Sequence, residues 1–371
     1  MIGRQEDVEQ LVLQLSNGAH RIVAGPRRTG KSSVCEAAMG QLRVGGSYTV
    51  EVSLFKHTNA ATLAEAIAEA ALSNRGAMHR LIERVRGVGT AALRGAALTL
   101  AMKVQAELGD GVELALRPGL AAQDPERALR LALELPGRIA QRDGRPLVMF
   151  IDELQELATS RGAYGDPDAL MKYMRETIYE SSGVTSLFAG SMERMMRELF
   201  TSRRRAFYGF GGFHDLTPIA PQEWKTGLKS RFAEDNCTID ANALERIIEL
   251  GDSHPRTVML IAQQTHSAAI ELDAQHIDMT LAQRGWRGAM EAERARHDDA
   301  VEAIRAMGAA AITVVARLAS GISPYRDLDS QTASRMLKRL ERAGIINRGG
   351  PRDWRFDDPL LVSYIREEIA A

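Results

Sequence analysis

Apolar residues recur at helical spacing over 5–16 (Val8, Leu11, Val12, Leu15), and Asn17-Gly18 stops the repeat. The period then changes. His20-Arg21-Ile22-Val23-Ala24 is a short apolar run ending on Gly25, as in a buried parallel strand. The pattern predicts a helix over 31–42, a second strand over 48–54 and an alanine-rich helix over 60–72. Between 75 and 125 scattered glycines break the pattern, with a strand expected at 112–116. A helix over 128–142 closed by Gly144, an apolar strand over 147–151 running into carboxylates, a helix over 169–181 and a buried strand over 185–189 follow. Strands alternating with helices call for a parallel sheet with helices on both faces, an α/β fold. Beyond Pro218 the pattern turns all-helical over 222–285, with Gly251 and Pro255 between helices, and 288–307 reads as a charged helical connector. The remainder reads as helix, short turn, helix, Gly344, two short strands around a glycine-rich turn, and a last helix. This organisation divides the chain into a core at 1–217, a helical lid and connector at 218–297 and a C-terminal module at 298–371.

Composition narrows the picture. With 371 residues the chain is long enough for two or three domains. A net charge of -1 excludes a polycation, so any nucleic-acid site has to be a local patch. Cys35 and Cys237 are far apart, with neither metal spacing nor a disulfide framework, and Cys35 is expected to be buried. The opening residues are charged, unlike a signal peptide. The most apolar stretch, 88–104, is interrupted by Arg94 and Lys103 and falls short of the ~20 residues a span needs. A soluble, cytoplasmic protein with no membrane partner is expected.

Chemistry concentrates in a few motifs. Gly25-Pro26-Arg27-Arg28-Thr29-Gly30-Lys31-Ser32-Ser33 carries a full GxxxxGKS between a strand and a helix. Its glycines let backbone N–H groups turn inward around phosphate oxygens, and the helix N-terminus adds partial positive charge. Lys31 is expected to reach the β- and γ-phosphates and Ser32 to ligate magnesium. The run Leu147-Val148-Met149-Phe150-Ile151-Asp152-Glu153 delivers a carboxylate pair to a strand's carboxyl end, where ligands sit in open α/β sheets. Asp152 is expected to hold magnesium and Glu153 to act as base toward the attacking water. Ser191 ends another core strand and reads either as a γ-phosphate sensor or as a helix N-cap. Arg194, Arg197, Arg203, Arg204 and Arg205 form a basic cluster, either a solvated charge run or the source of an arginine finger, with Arg203, Arg204 and Arg205 the candidates. Gly251-Asp252-Ser253-His254-Pro255-Arg256 is either an interhelical turn or a lid element whose Arg256 contacts phosphate.

Taken in order, these pieces resemble the archaeal-type P-loop ATPases, close to the STAND and origin-recognition-type AAA+ ATPases. The resemblance rests on Ile2-Gly3-Arg4-Gln5-Glu6, the phosphate loop, Ile151-Asp152-Glu153-Leu154-Gln155, Gly190-Ser191, His254-Pro255 and Phe356-Asp357-Asp358-Pro359-Leu360. It implies a P-loop NTPase core, a helical lid and a C-terminal winged helix, with ATP and Mg2+ as cofactors and ATP hydrolysis as the activity. It also implies that Ile2 to Arg4 and the His254-Pro255 turn border the adenine. Members of this group often carry Tyr-Gly-Arg after the sensor strand; here the run is Tyr208-Gly209-Phe210, and Phe210 supplies no guanidinium.

In the C-terminal module the helix at 330–343 carries a buried stripe of Met336, Leu337 and Leu340, with Arg335, Lys338, Arg339 and Arg342 facing outward. Residues 345–348, Gly349-Gly350 and 352–356 make a hairpin with a basic tip that includes Arg348. A helix for the major groove plus a basic wing is a geometry for double-stranded DNA. The module as a whole is charge-balanced, and winged helices also dock proteins. Two functions stay open: a nucleotide-gated, DNA-associated ATPase, or a signalling switch whose module binds a protein. A homo-oligomer, with a neighbour completing the site, is a further expected partner.

Overall fold

The computed structural model describes residues 1–76, 78–80, 82, 96–117, 119–160, 162–348 and 353–368. Its contacts divide the chain into two units. One comprises Glu6–Gly25 and Lys31–Leu216; the other comprises Met1–Gln5, Pro26–Gly30 and Thr217–Ala371.

The first unit is built on β1 (Arg21–Ala24), β2 (Tyr48–Ser53), β3 (Leu147–Asp152), β4 (Val184–Gly190) and β5 (Gly212–Phe213). They pair in the order β2-β3-β4-β1-β5, all parallel. Such a sheet has to be covered on both faces, which is why its strands read as continuous apolar runs. The two-residue period sorts the runs. Val23, Val148, Phe150, Leu187 and Ala189 pack with Leu11 and Leu15 of α1 (Gln5–Ser16) and Val34 and Ala38 of α2 (Lys31–Val44). Ile22, Val50, Leu147, Met149, Ile151 and Phe188 belong to the opposite core. That core also takes residues of α3 (Ala60–Ser73), α4 (Ala96–Leu108), α5 (Gly111–Leu116) and α6 (Pro125–Asp143). α7 (Glu156–Thr159), α8 (Pro167–Glu180) and α9 (Glu193–Thr201) complete this unit. Cys35 is fully buried, and burial pushes its thiol up, so it packs as an inert apolar group.

Helix starts follow their caps. α6 and α8 begin earlier than the apolar period suggests. Asp124 and Asp166 accept from the backbone N–H groups of Arg127 and Asp168 at 3.2 and 3.1 Å, and Pro125 and Pro167 hold the first helical turn. The strand expected at 112–116 is instead helix α5. Val112, Leu114 and Leu116 are all buried, and in so short a segment an alternating pattern fits a helix enclosed by neighbours as well as a strand. β5, only two residues long, was not among the expected elements. The apolar stretch at 88–104 falls partly outside the described residues, and among those described no helix is long and apolar enough to cross a membrane.

Phe210 is 7% exposed and packs with Phe188 and Phe207, its ring stacked on His20 at 4.5 Å. His20 Nδ1 accepts the Ser186 backbone N–H at 3.0 Å, so the ring is neutral there, and burial lowers its pKa. Because the folded value lies below the ordinary one near 6.5, the unfolded chain binds more protons as pH falls. The stability His20 contributes is therefore present above ~6.5 and lost as pH drops through the folded value. Melting temperatures measured between pH 7.5 and 5 should fall less steeply for His20→Gln than for the parent; equal slopes would remove this coupling.

In the second unit, α10 (Pro221–Glu234), α11 (Ala241–Leu250), α12 (Pro255–Glu271) and α13 (Met279–Ala292) share an apolar cluster around Trp224, Ile247, Val258 and Ile261. The stretch expected to be purely helical also contains a parallel bridge, β6 (Thr238–Ile239) with β7 (His276–Ile277). The charged connector is broken at Glu293 between α13 and α14 (Arg294–Ala306). A third cluster joins α14 to α15 (Ala309–Ala319), α16 (Ser330–Arg342), the antiparallel pair β8 (Ile346–Arg348) with β9 (Trp354–Phe356), and α17 (Pro359–Glu368). Gly344 (φ 68°) ends α16, with Gly344 N–H to Glu341 O at 3.0 Å and Ile345 N–H to Leu340 O at 3.1 Å, a Schellman closure that needs the left-handed residue. The expected tip at Gly349-Gly350 and Arg352 lies outside the described residues.

Candidate functional site

Strand β3 ends on Asp152, and α2 starts at Lys31. In the first unit this brings Ser32 Oγ to donate to Asp152 Oδ2 at 2.9 Å, while Asp152 Oδ1 accepts the Glu153 N–H at 2.9 Å. Lys31 is 6% exposed in the first turn of α2, where backbone N–H groups lack helical acceptors. Burial pushes the Asp152 carboxyl up, against the Ser32 hydrogen bond that pulls it down. A hydroxyl beside a carboxylate whose charge is disfavoured by burial suits a hard divalent cation, which takes oxygen donors and relieves that penalty.

Glu153 follows in the left-handed region (φ 55°). Its Oε2 accepts from Ser191 Oγ at 2.8 Å and from Ser191 N–H at 3.2 Å, and forms a short hydrogen bond with Gln155 Nε2. Ser191 does not cap α9; Met192 holds that position, and the Ser191 hydroxyl is directed to Glu153 instead. In the sequence Gln155 stands only as the last letter of Ile151-Asp152-Glu153-Leu154-Gln155, with no signal of a role.

The phosphate-loop residues Pro26 to Gly30 belong to the second unit. Arg28 (φ 66°) and Gly30 (φ 90°) take left-handed conformations, and Thr29 Oγ1 donates to Pro26 O at 3.0 Å, which curls the loop on itself. Arg4, 5% exposed, donates to Thr217 O at 2.7 Å and to Thr29 O at 3.3 Å, tying the loop to two other segments of its unit. Ile2 packs on Gly227, where a Cβ would stand 2.6 Å from the Ile2 side chain. His254 lies beside Thr257 Oγ1 at 3.1 Å, and burial lowers its pKa, opposed by the ring's hydrogen bonding to the Arg27 backbone; Pro255 starts α12. Arg256 donates to Glu293 at 2.6 Å, so its guanidinium is held by a buried carboxylate of its own unit. Arg28 stands 4.0 Å from Asp358.

The basic cluster separates into two kinds. Arg197 pairs with Glu193 and Asp215 and lies over the Phe213 ring, and Arg205 pairs with Asp168 and Glu198. Arg203 and Arg204 are exposed and make no ion pair among the described residues. In the C-terminal module Met336, Leu337 and Leu340 are buried, whereas Arg335, Lys338, Arg339 and Arg348 are exposed, and Arg348 lies over Trp354 at 5.6 Å.

A five-stranded parallel sheet in this order, with a GxxxxGKS loop after β1 and an acidic pair closing β3, is the fold of a P-loop NTPase of the AAA+ type. Residues 1–163 match the family described as AAA ATPase domain, and the protein is an ATPase that uses ATP and Mg2+. The fold is similar to that of a Walker-type ATPase of Pyrococcus abyssi (TM-score 0.64, 16% identity, covering 99% of this chain and 96% of that one). It is also similar to the ORC2 protein of Aeropyrum pernix in its ADPNP–ADP complexes (TM-score 0.57, 13% identity, 99% and 94% covered). No curated protein matches the chain.

Proposed function

We propose that the protein is a nucleotide-gated switch whose C-terminal module is a winged helix that holds double-stranded DNA. In the ATPase core, Ser32 and Asp152 are the residues for magnesium, which when bound neutralises phosphate charge. Lys31 binds the β- and γ-phosphates, Glu153 takes the proton of the attacking water, and Ser191 orients Glu153. The core, lid and connector, and module are assigned to 1–217, 218–297 and 298–371. The DNA reading is carried by α16: one face is buried through Met336, Leu337 and Leu340, and the other presents Arg335, Lys338 and Arg339 to solvent, with Arg348 on the following hairpin. Exposed cations on a helix followed by a hairpin suit a phosphate backbone.

Fluorescence anisotropy on duplex DNA across salt concentrations tests this. Affinity should fall steeply with salt, and replacing Arg335, Lys338 or Arg339 singly with alanine should weaken binding on every sequence and flatten the log–log slope by about one unit per phosphate contact. An alanine variant that loses discrimination at one base pair, worth ~1–3 kcal/mol, would mark a guanine contact instead. No binding at low salt with ATP present would overturn the DNA assignment and make the module a protein dock.

A further inference from the structure

The Glu153 carboxylate is held through one oxygen only. Oε2 takes all three hydrogen bonds, two from Ser191 and one from Gln155, and among the described residues Oε1 takes none. Ser191 arrives from the end of β4, but Gln155 belongs to the same turn as Glu153. That turn is closed by Glu156 N–H to Glu153 O at 2.9 Å and pinned to β4 by Leu154 N–H to Ala189 O at 3.0 Å.

Gln155 is a poor choice for packing alone. It is 1% exposed, and its Oε1 is buried without a hydrogen-bond partner among the described residues. A methionine or leucine would fill similar space without stranding a polar atom, which is unfavourable in a core. Room is also made for this amide. A Cβ on residue 190 would lie 2.3 Å from Gln155 Oε1 and 2.5 Å from Met196 Sδ, so Gly190 leaves the space that the amide oxygen shares with the Met196 side chain. The amide cannot profitably turn over, because its oxygen would then face the Glu153 carboxylate. What remains for the side chain to do is donate Nε2–H to Glu153 Oε2, with Ser191 Oγ 3.4 Å from the same nitrogen.

We infer that Gln155 is a positioning residue for ATP hydrolysis: it fixes Oε2 of Glu153 so that Oε1 is the oxygen turned to the attacking water. The left-handed backbone of Glu153 sets where the side chain leaves the turn, and Gln155 with Ser191 sets its rotation. A base that is not held swings through non-productive orientations, which slows the chemical step without weakening nucleotide binding. The inference rests on Glu153 being the base.

Its test is a double-mutant cycle in the full chain, with MgATP as the probe. Gln155→Met should bind MgATP within about two-fold of the parent and keep its KM, while kcat falls about ten-fold or more. In a Glu153→Gln background the same change should leave the residual turnover unaltered, because there is no base left to position. If Gln155→Met lacks a cooperative melt, Gln155→Leu enters the same cycle. Parental kcat in a folded Gln155 variant overturns the inference, and so does an equal fold-loss in both backgrounds, the signature of a general structural role. If Glu153→Gln alone keeps parental turnover, the base reading fails first. If Glu153→Gln is inactive and Gln155→Met is not impaired, the positioning role alone fails.

Discussion

Lys31→Ala is expected to weaken ATP binding by ~10²–10⁴-fold and to remove turnover at millimolar ATP. Lys31 opens α2, where unpaired backbone N–H groups and the helix dipole already favour an anion, but it brings the only full positive charge of the Gly30-Lys31-Ser32 segment. A hydrogen bond to a charged group contributes ~1.5–3 kcal/mol, and one to each of two phosphates gives ~3–6 kcal/mol, which at ~1.4 kcal/mol per decade is the quoted range. The fold should survive. Alanine is the best helix former, and the change removes a cation that is 6% exposed rather than an apolar contact. Titration calorimetry with MgATP reads the loss; unchanged affinity with a normal melt would mean that the loop does not hold the phosphates.

The second large effect is on turnover alone. Glu153→Gln should keep ATP affinity and lower kcat by ~10²–10⁴-fold, the usual contribution of a positioned general base. The amide oxygen can still accept from Ser191, so the junction of β3 and β4 keeps its Ser191 hydrogen bonds, while the group that takes the water's proton is gone. Phosphate release at the parental rate would reduce Glu153 to a structural residue at the end of β3.

Most of this was legible because the signals are local. Gly25 to Ser33 and Ile151-Asp152-Glu153 announce themselves by spacing, and β1 to β4 stand out because a doubly covered parallel strand is apolar at consecutive positions. What the sequence withheld depends on three-dimensional placement. β5 is two residues beside β1, too short to have a period. The alternation in 112–116 fits a buried helix of six residues as well as a strand. Phe210 looked like a missing arginine, and its burial among Phe188, Phe207 and His20 makes it a core residue instead. Likewise the arginines of the basic cluster are indistinguishable in sequence. Only the carboxylates of Asp168, Glu198, Glu193 and Asp215 separate the paired Arg205 and Arg197 from the exposed Arg203 and Arg204. Gln155 was visible as a letter in a motif, but its role needed the position of Glu153 Oε2 and the gap left by Gly190.

In the proposed switch, nucleotide state gates the C-terminal module. A ligand shifts an equilibrium only by its differential affinity for the two states, so the gate has to show as a difference in DNA affinity between nucleotide states. The Glu153→Gln protein is the reagent for this, since it is expected to hold ATP without consuming it. Duplex anisotropy on that protein, at one salt concentration, with saturating MgATP and then with saturating MgADP, measures the coupling directly. The two dissociation constants are expected to differ by about five-fold or more, the lower end of ordinary allosteric coupling. Equal, measurable affinities in the two states would contradict it, leaving an ATPase and a DNA-binding module that share a chain without a switch between them.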